Sequence, residues 1–397
     1  MTDLHGAGAR AARGAGLAHA TLALGGFAIG TAEFASMSFL PSFSAGLGVD
    51  APTGGHVISA YALGVVGGAP LLAVLGARFD RRTLLVLLMA WFAVGNGLSA
   101  VAPDFTSLVL FRFLTGLPHG AYFGIAALVA AGMVPPARRA AAIGRVMTGL
   151  TVATIVGVPL ASLVAQRLGW RVGFAGVGGI AVLTALLVSR VVPRQGVDRL
   201  ASPLRELGAL RNGQVWLSLG IGAIGFGGMF AVYTYLASTL ALVTRAPEQA
   251  LPMVLAVFGV GLTLGNGLAP RLVRWGVMTA AGLLLAWSAA ALAIYPFTVG
   301  NVWLIGLAVF AIACGGGLGT VLQTHLMDVA GEAQSLAAAL NHSAFNVANA
   351  LGPWLGGLAI AAGHGWASVG WVGSGLALAG LAIWAMAVGA GRQAVRA

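Results

Sequence analysis

The chain has 397 residues, 59% of them hydrophobic and only 8% charged, with a formal net charge of +11. An average soluble domain is about 25% charged, so a soluble fold is excluded and the chain reads as a polytopic membrane protein, with a mean hydropathy of +0.93. All 21 basic residues are arginine, and without a lysine the chain is neither a P-loop ATPase nor a retinal or pyridoxal Schiff-base protein.

The first apolar run, 14–49, carries one formal charge, Glu33. About 20 apolar residues cross a bilayer as a helix, which puts Glu33 mid-span. Intramembrane carboxyl groups are costly and are functional candidates by default; the alternative is a structural hydrogen bond between helices. Arg10, Arg13 and Ala18-His19-Ala20 mimic a signal peptide, but the apolar stretch is too long for a signal core, so it reads as an uncleaved first span. Further charge-free runs follow at 51–77, 83–103, 113–137, 146–166, 172–189, 212–244 and 249–270. The runs 275–327 and 333–391 are each long enough for two spans, divided near residues 296–301 and 363–366. Twelve helices result. The runs are continuous rather than alternating, which argues against a membrane β-barrel. Gly116, Gly120 and Gly124 form a small-xxx-small face in span four. Gly220-x-Gly222-x-x-Gly225 matches the dinucleotide fingerprint but falls inside an apolar run, so it reads as helix packing.

The longest polar stretch, 194–213, reads as a linker between an N-terminal half (1–193) and a C-terminal half (214–397). A weak internal repeat supports this: Trp170 and Trp366 are offset by 196, and Val152-Ala-Thr-Ile-Val-Gly157 resembles Val347-Ala-Asn-Ala-Leu-Gly352 at an offset of 195. Two six-helix halves place a substrate site between them near the midplane. With the N-terminus inside, 17 of the 21 arginines fall in the tails or in loops on one side. That positive-inside asymmetry predicts that both termini are cytoplasmic and explains the charge excess without nucleic acid. The single cysteine, Cys314, excludes a disulfide framework. The seven histidines show no metal-ligand spacing.

Gly76-x-x-x-Asp80-Arg81 resembles the loop 2–3 motif of the major facilitator superfamily, and Arg112-x-x-x-Gly116-x-x-x-Gly120 resembles its span-four motif. Ala32-Glu33-Phe34, Ser59-Ala-Tyr-Ala-Leu-Gly64 and Gly116-Leu-Pro-His119-Gly120 are together similar to the arabinose-efflux-permease and chloramphenicol-exporter branch of its drug:proton antiporters. There are departures. Arg82-Thr83-Leu84 follows where the family has a glycine and then basic residues. The span-five antiporter motif is reduced to Gly157-Val-Pro159-Leu-Ala161, while its ending appears intact in span eleven as Gly352-Pro353-Trp-Leu-Gly356-Gly357. The resemblance implies an all-α fold of twelve transmembrane helices in two pseudo-symmetric six-helix halves. It also implies a role for Arg112 in proton coupling, and a gate in which Asp80 docks against the start of span eleven, near Ser335.

A cation near Glu33 favours the ionised carboxylate and desolvation favours the neutral acid, so a rocking transporter that alternates the two can take up and release a proton. His119 is a candidate proton shuttle or substrate contact, with a packing histidine as the alternative. Phe34, Tyr233, Tyr235, Asn341, Asn346 and Asn349 are candidate cavity residues; interhelical packing is the alternative for each. The expectation is a monomeric, multi-pass transporter of a bacterial cytoplasmic membrane, without enzyme activity or cofactor, exporting a small drug-like or sugar-like molecule against proton entry. A sugar symporter or facilitator of the same fold, and a non-transporting sensor, are the alternatives.

Overall fold

The computed structural model describes residues 2–76, 79–135, 138–194, 211–330 and 334–396. Among these residues there is no strand, and twelve long helices follow in chain order. They are α1 (Thr2–Ser38), α2 (Ala51–Gly76), α3 (Arg81–Ala100), α4 (Phe105–Gly132), α5 (Arg139–Val152, continued by a π turn Ala153–Gly157 into Val158–Leu168) and α6 (Trp170–Val191). The second set is α7 (Gly213–Gly225 and Gly227–Leu242), α8 (Ala250–Leu272), α9 (Val277–Ile294), α10 (Val302–Cys314, continued through Gly315–Gly317 into Leu318–Val329), α11 (Gln334–Ala359) and α12 (Ser368–Arg396). Ten are long and apolar enough to cross a membrane, with Gly14–Ser38 the apolar part of α1. The other two, α2 and α11, have 26 residues each, or roughly 39 Å of helix.

Local chemistry sets the helix ends. The carboxylates of Asp80 and Asp104 accept the N–H groups of Thr83 and Ser107 and cap α3 and α4. Asn212 and Asn301 cap α7 and α10 in the same way. At the end opposite the arginine-rich loops, hydrogen bonds from Thr53 and Ser107 hold the exposed Asp50 and Asp104 carboxyls below their ordinary range. Gly169 turns the chain between α5 and α6 at φ 92, a conformation that side chains other than glycine rarely take. The sequence-predicted breaks are present: Tyr295–Phe297 ends α9, and Gly363 and Gly365, both at positive φ, precede α12. The expected linker falls largely at 195–210, outside the described residues.

The helices pair twice in one pattern. In the first half α1 packs on α5 and α6, α2 on α4, and α3 on α6; in the second, α7 packs on α11 and α12, α8 on α10, and α9 on α12. Raising each helix number by six converts one set into the other. Side chains repeat the symmetry. Trp91 Nε1 donates to the Leu114 carbonyl at 3.0 Å, and Trp287 Nε1 donates to the Ala311 carbonyl at 2.7 Å. The first bond also uses the acceptor that Pro118 frees by lacking an N–H. The α2–α4 crossing is close because a Cβ on Gly116 would meet the Tyr61 carbonyl, and one on Gly120 would meet Ala69. Gly124, by contrast, faces open space. Gly225 packs against Gly380, the packing role read for the false dinucleotide fingerprint.

Large apolar side chains such as Leu63, Leu160, Met253 and Leu307 point outward, as a bilayer-facing surface requires. Trp216, Trp275, Trp303 and Trp371 are exposed near helix ends, at the level of an aromatic belt.

Candidate functional site

The halves meet along α2–α11, α5–α8 and α1–α7. Glu33 lies on this seam and is 8% exposed. Asn349 Nδ2 of α11 donates to Glu33 Oε1 at 3.0 Å, so a carboxyl group deep in the bundle is held by the opposite half. A few residues away, the Ser59 hydroxyl of α2 donates to the Ala350 carbonyl of α11 at 2.9 Å.

Arg112 is fully buried. Its NH1 and NH2 donate to Asn96 Oδ1 and to the carbonyl of Ala32, the residue before Glu33, each at 3.3 Å. The guanidinium carbon lies over the rings of Tyr61 and Phe174, 4.4 and 4.9 Å from their centroids. Cation–π contact of a desolvated Arg contributes about 2 kcal/mol, and the flat delocalised cation suits the slot. Arg112 is thus near Glu33 while its hydrogen bonds to Asn96 and Ala32 stay within its own half.

From Tyr61 a polar path leads toward the arginine-rich end. The Tyr61 hydroxyl and His119 Nδ1 are 3.0 Å apart. His119 contacts the Phe123 ring, and Phe123 stacks on His342 of α11 with centroids 6.1 Å apart and planes 5° off parallel. On the other side of Glu33, Phe34 reaches into an aromatic cluster of the second half: Phe230 and Phe258 at 6.2 and 6.1 Å, and Tyr233 edge-on at 5.5 Å. Two narrow crevices, with about 10 Å³ and about 0 Å³ of space open to a water-sized molecule, border this cluster and are lined by second-half residues such as Phe226, Met229, Tyr233 and Phe258. Small-molecule pockets run about 300–1,000 Å³, so neither holds a drug-sized molecule.

The remaining predicted residues fall as follows. The Tyr235 hydroxyl donates to the Pro353 carbonyl at 2.8 Å, which commits it to packing α7 on α11. Gly352 backs onto the Gly227 carbonyl, and Gly356 packs beside the Tyr235 ring. Gly157 lies in the π turn of α5, against Thr31 and Phe27 of α1, and Pro159 follows in the next helical segment. Asn341 Nδ2 donates to the Gly319 carbonyl at 3.4 Å. Asn346 Nδ2 donates back to His342 of its own helix at 3.0 Å. Gly76 ends α2, and Asp80 and Arg81 begin α3. The side chains near Ser335, the expected dock for Asp80, lie outside those described.

The structure adds Tyr61, Asn96, Phe230, Phe258 and His342 to the site. His342, Asn346, Asn349 and Pro353 recur at helical spacing on one face of α11. That spacing is the one local signal that could have marked this face as the seam.

A sequence profile described as Major Facilitator Superfamily matches residues 22–332. The chain is 40% identical over 352 residues to the inner membrane transport protein YdhP of Escherichia coli (strain K12), covering 88% of this chain and 90% of that protein. It is 32% identical over 342 residues to a chloramphenicol resistance protein of Streptomyces lividans, covering 84% of this chain and 86% of that one. The crystal structure of the nucleoside transporter NupG shares the fold, with a TM-score of 0.75 at 12% identity, over 92% of this chain and 99% of that one.

Proposed function

The chain belongs to the major facilitator superfamily, and we propose that it exports a small molecule in exchange for protons by alternating access, with Glu33 as the proton carrier. The observation that carries this reading is the Asn349–Glu33 hydrogen bond across the two halves. Rocking the halves apart breaks that bond and wets the carboxyl. A hydrogen bond to an ionised carboxylate is about twice as strong as one to a neutral acid, so protonation loosens the seam. Proton binding and half-to-half contact are thereby linked through one atom pair, and a ligand shifts a conformational equilibrium only through such differential contacts. The name of the Streptomyces relative, a resistance protein, favours export over uptake. Both sides of the seam come from one chain, which supports a monomer. Inside-out vesicles with an acid interior are expected to accumulate one member of a panel of aromatic antibiotics and sugars. A protonophore should abolish the accumulation, and uptake indifferent to the gradient would make the protein a facilitator.

The arginine asymmetry orients the protein with both termini and the 194–213 linker in the cytoplasm, in the bacterial inner membrane as for YdhP. In a Cys314→Ser background, Leu200→Cys and Val395→Cys should resist an impermeant maleimide in intact cells, while Gly300→Cys at the opposite end reacts. Labelling at position 200 or 395 would invert or overturn the topology.

Gly76, Asp80 and Arg81 then belong to the cytoplasmic gate. Asp80 caps α3 through Thr83, and Asn caps a helix as well as Asp does. Asp80→Asn should therefore keep thermal stability and ligand binding. A gating role predicts that turnover falls about tenfold, or ~1.4 kcal/mol. Wild-type turnover in vesicles would leave Asp80 as a cap alone.

A further inference from the structure

We propose that the Asn349 amide reports the protonation state of Glu33 to the substrate, and that the substrate is a ring compound carrying hydrogen-bond donors. This deepens the reading of Glu33 as proton carrier and rests on it. Asn349 is 1% exposed, its Nδ2 is used on Glu33, and its Oδ1 has no partner among the described residues. Asn346, one turn away on the same face of α11 and 5% exposed, also has an unpartnered Oδ1. A buried acceptor left without a donor is costly, and few native groups are left so. The α11 seam therefore offers two unused carbonyl oxygens, one of them on the amide that holds the carboxyl, and Phe34, the residue after Glu33, packs against the rings of Phe230, Tyr233 and Phe258. The complement is a molecule with an aromatic or apolar ring and hydroxyl or amine hydrogens on one edge.

The coupling follows from the two-faced chemistry of an amide. While Glu33 is ionised it can only accept, so Asn349 must turn its NH₂ toward it, and Oδ1 is presented to the substrate. When a proton from solution binds Glu33, the carboxyl O–H becomes a donor. The amide can then turn, Oδ1 accepts from that O–H, and the NH₂ group faces the seam instead. A donor-bearing substrate loses its acceptor at the moment the proton arrives. Substrate and proton thus exclude one another, which is the condition for antiport.

The other titratable or charged groups near this pair are Arg112 and His119 of α4, Tyr61 of α2, Tyr233 of α7 and His342 on α11 itself. The pH dependence assigned to Glu33 must therefore survive His119→Gln and His342→Gln.

The probes are 1-phenyl-1,2-ethanediol and its dimethyl ether, bound to the purified full chain in lipid nanodiscs and measured by calorimetry. Near pH 8 the diol should bind about tenfold tighter than the ether, a ratio that falls to about twofold or less once the pH is low enough to protonate Glu33. Asn346→Leu should lower the preference at both pH values and keep its pH dependence. Asn349→Leu should make the preference independent of pH. Should that variant fail to fold, the infrared carbonyl band of isotope-labelled asparagine in wild type replaces it. That band should shift on acidification, and the shift should vanish in Glu33→Gln. Equal binding of diol and ether near pH 8, a wild-type pH dependence in Asn349→Leu, or its loss in a histidine variant would overturn the inference. Proton-driven export without donor preference sinks this inference alone. A pH-dependent donor preference without proton-driven export sinks the proposed function alone.

Discussion

Glu33→Gln is expected to reduce gradient-driven accumulation in proteoliposomes to the level of empty liposomes, while substrate binding and downhill exchange persist. Gln has the size of Glu, and its amide oxygen can accept the same bond from Asn349 Nδ2 that the carboxylate accepts at 3.0 Å. The seam contact survives, and what disappears is titration. Binding should therefore persist and lose its pH dependence. A purely structural Glu33 makes the opposite pair of predictions: either the variant is wild type, because the bond is kept, or it unfolds. The measurement compares uphill transport with binding on one purified preparation. Accumulation at wild-type levels would remove Glu33 from the coupling step, and with it the main argument for proton exchange.

The spans are legible because each is an apolar run almost free of charge and bounded by residues with a definite local role. Asn301 divides the 275–327 run by capping α10, and Gly363 and Gly365 divide the last run through positive φ. The two-fold repeat is legible through Trp170 and Trp366 and through the Val152–Gly157 and Val347–Gly352 strings. The pair Trp91 and Trp287 repeats the fold as well, its indoles making equivalent bonds to Leu114 and Ala311. A tryptophan in an apolar run says nothing until its acceptor is known. The same limit governs the site. Glu33 announces itself, since a lone acid in an apolar helix is costly wherever the helix packs. Its partner Asn349 is 316 residues away, and no local pattern ties the two. Phe230 and Phe258 give no signal at all, because an apolar side chain on a membrane helix can face lipid, core or seam. Tyr235 stood as a cavity candidate on its hydroxyl, which the fold gives to the Pro353 carbonyl.

Replacing Arg112 separates charge from architecture. Arg112→Leu should lose proton-driven transport entirely and lose stability as well. Its removal strands Asn96 Oδ1, which accepts from Arg112 NH1, at a cost of about 1–3 kcal/mol for an unsatisfied buried acceptor. It also empties the slot between Tyr61 and Phe174. The double variant Arg112→Leu, Asn96→Leu removes the stranded acceptor together with its donor, so much of the stability should return. Transport should not return. Without the cation fixed to the Ala32 carbonyl, the Asn349 amide alone is left to favour the ionised form of Glu33, and the proton, once bound, is held too tightly to be exchanged. Arg112→Lys keeps a charge but offers a compact ammonium in place of a flat fork. It cannot fill the slot between two rings while bonding Asn96 and Ala32, so it should fall between wild type and the leucine variant in uphill transport. The decisive comparison is the stability-rescued double variant, tested for accumulation and for downhill exchange. Exchange without accumulation assigns Arg112 to proton coupling. Accumulation restored along with stability would reduce Arg112 to a structural tie between α1, α3 and α4.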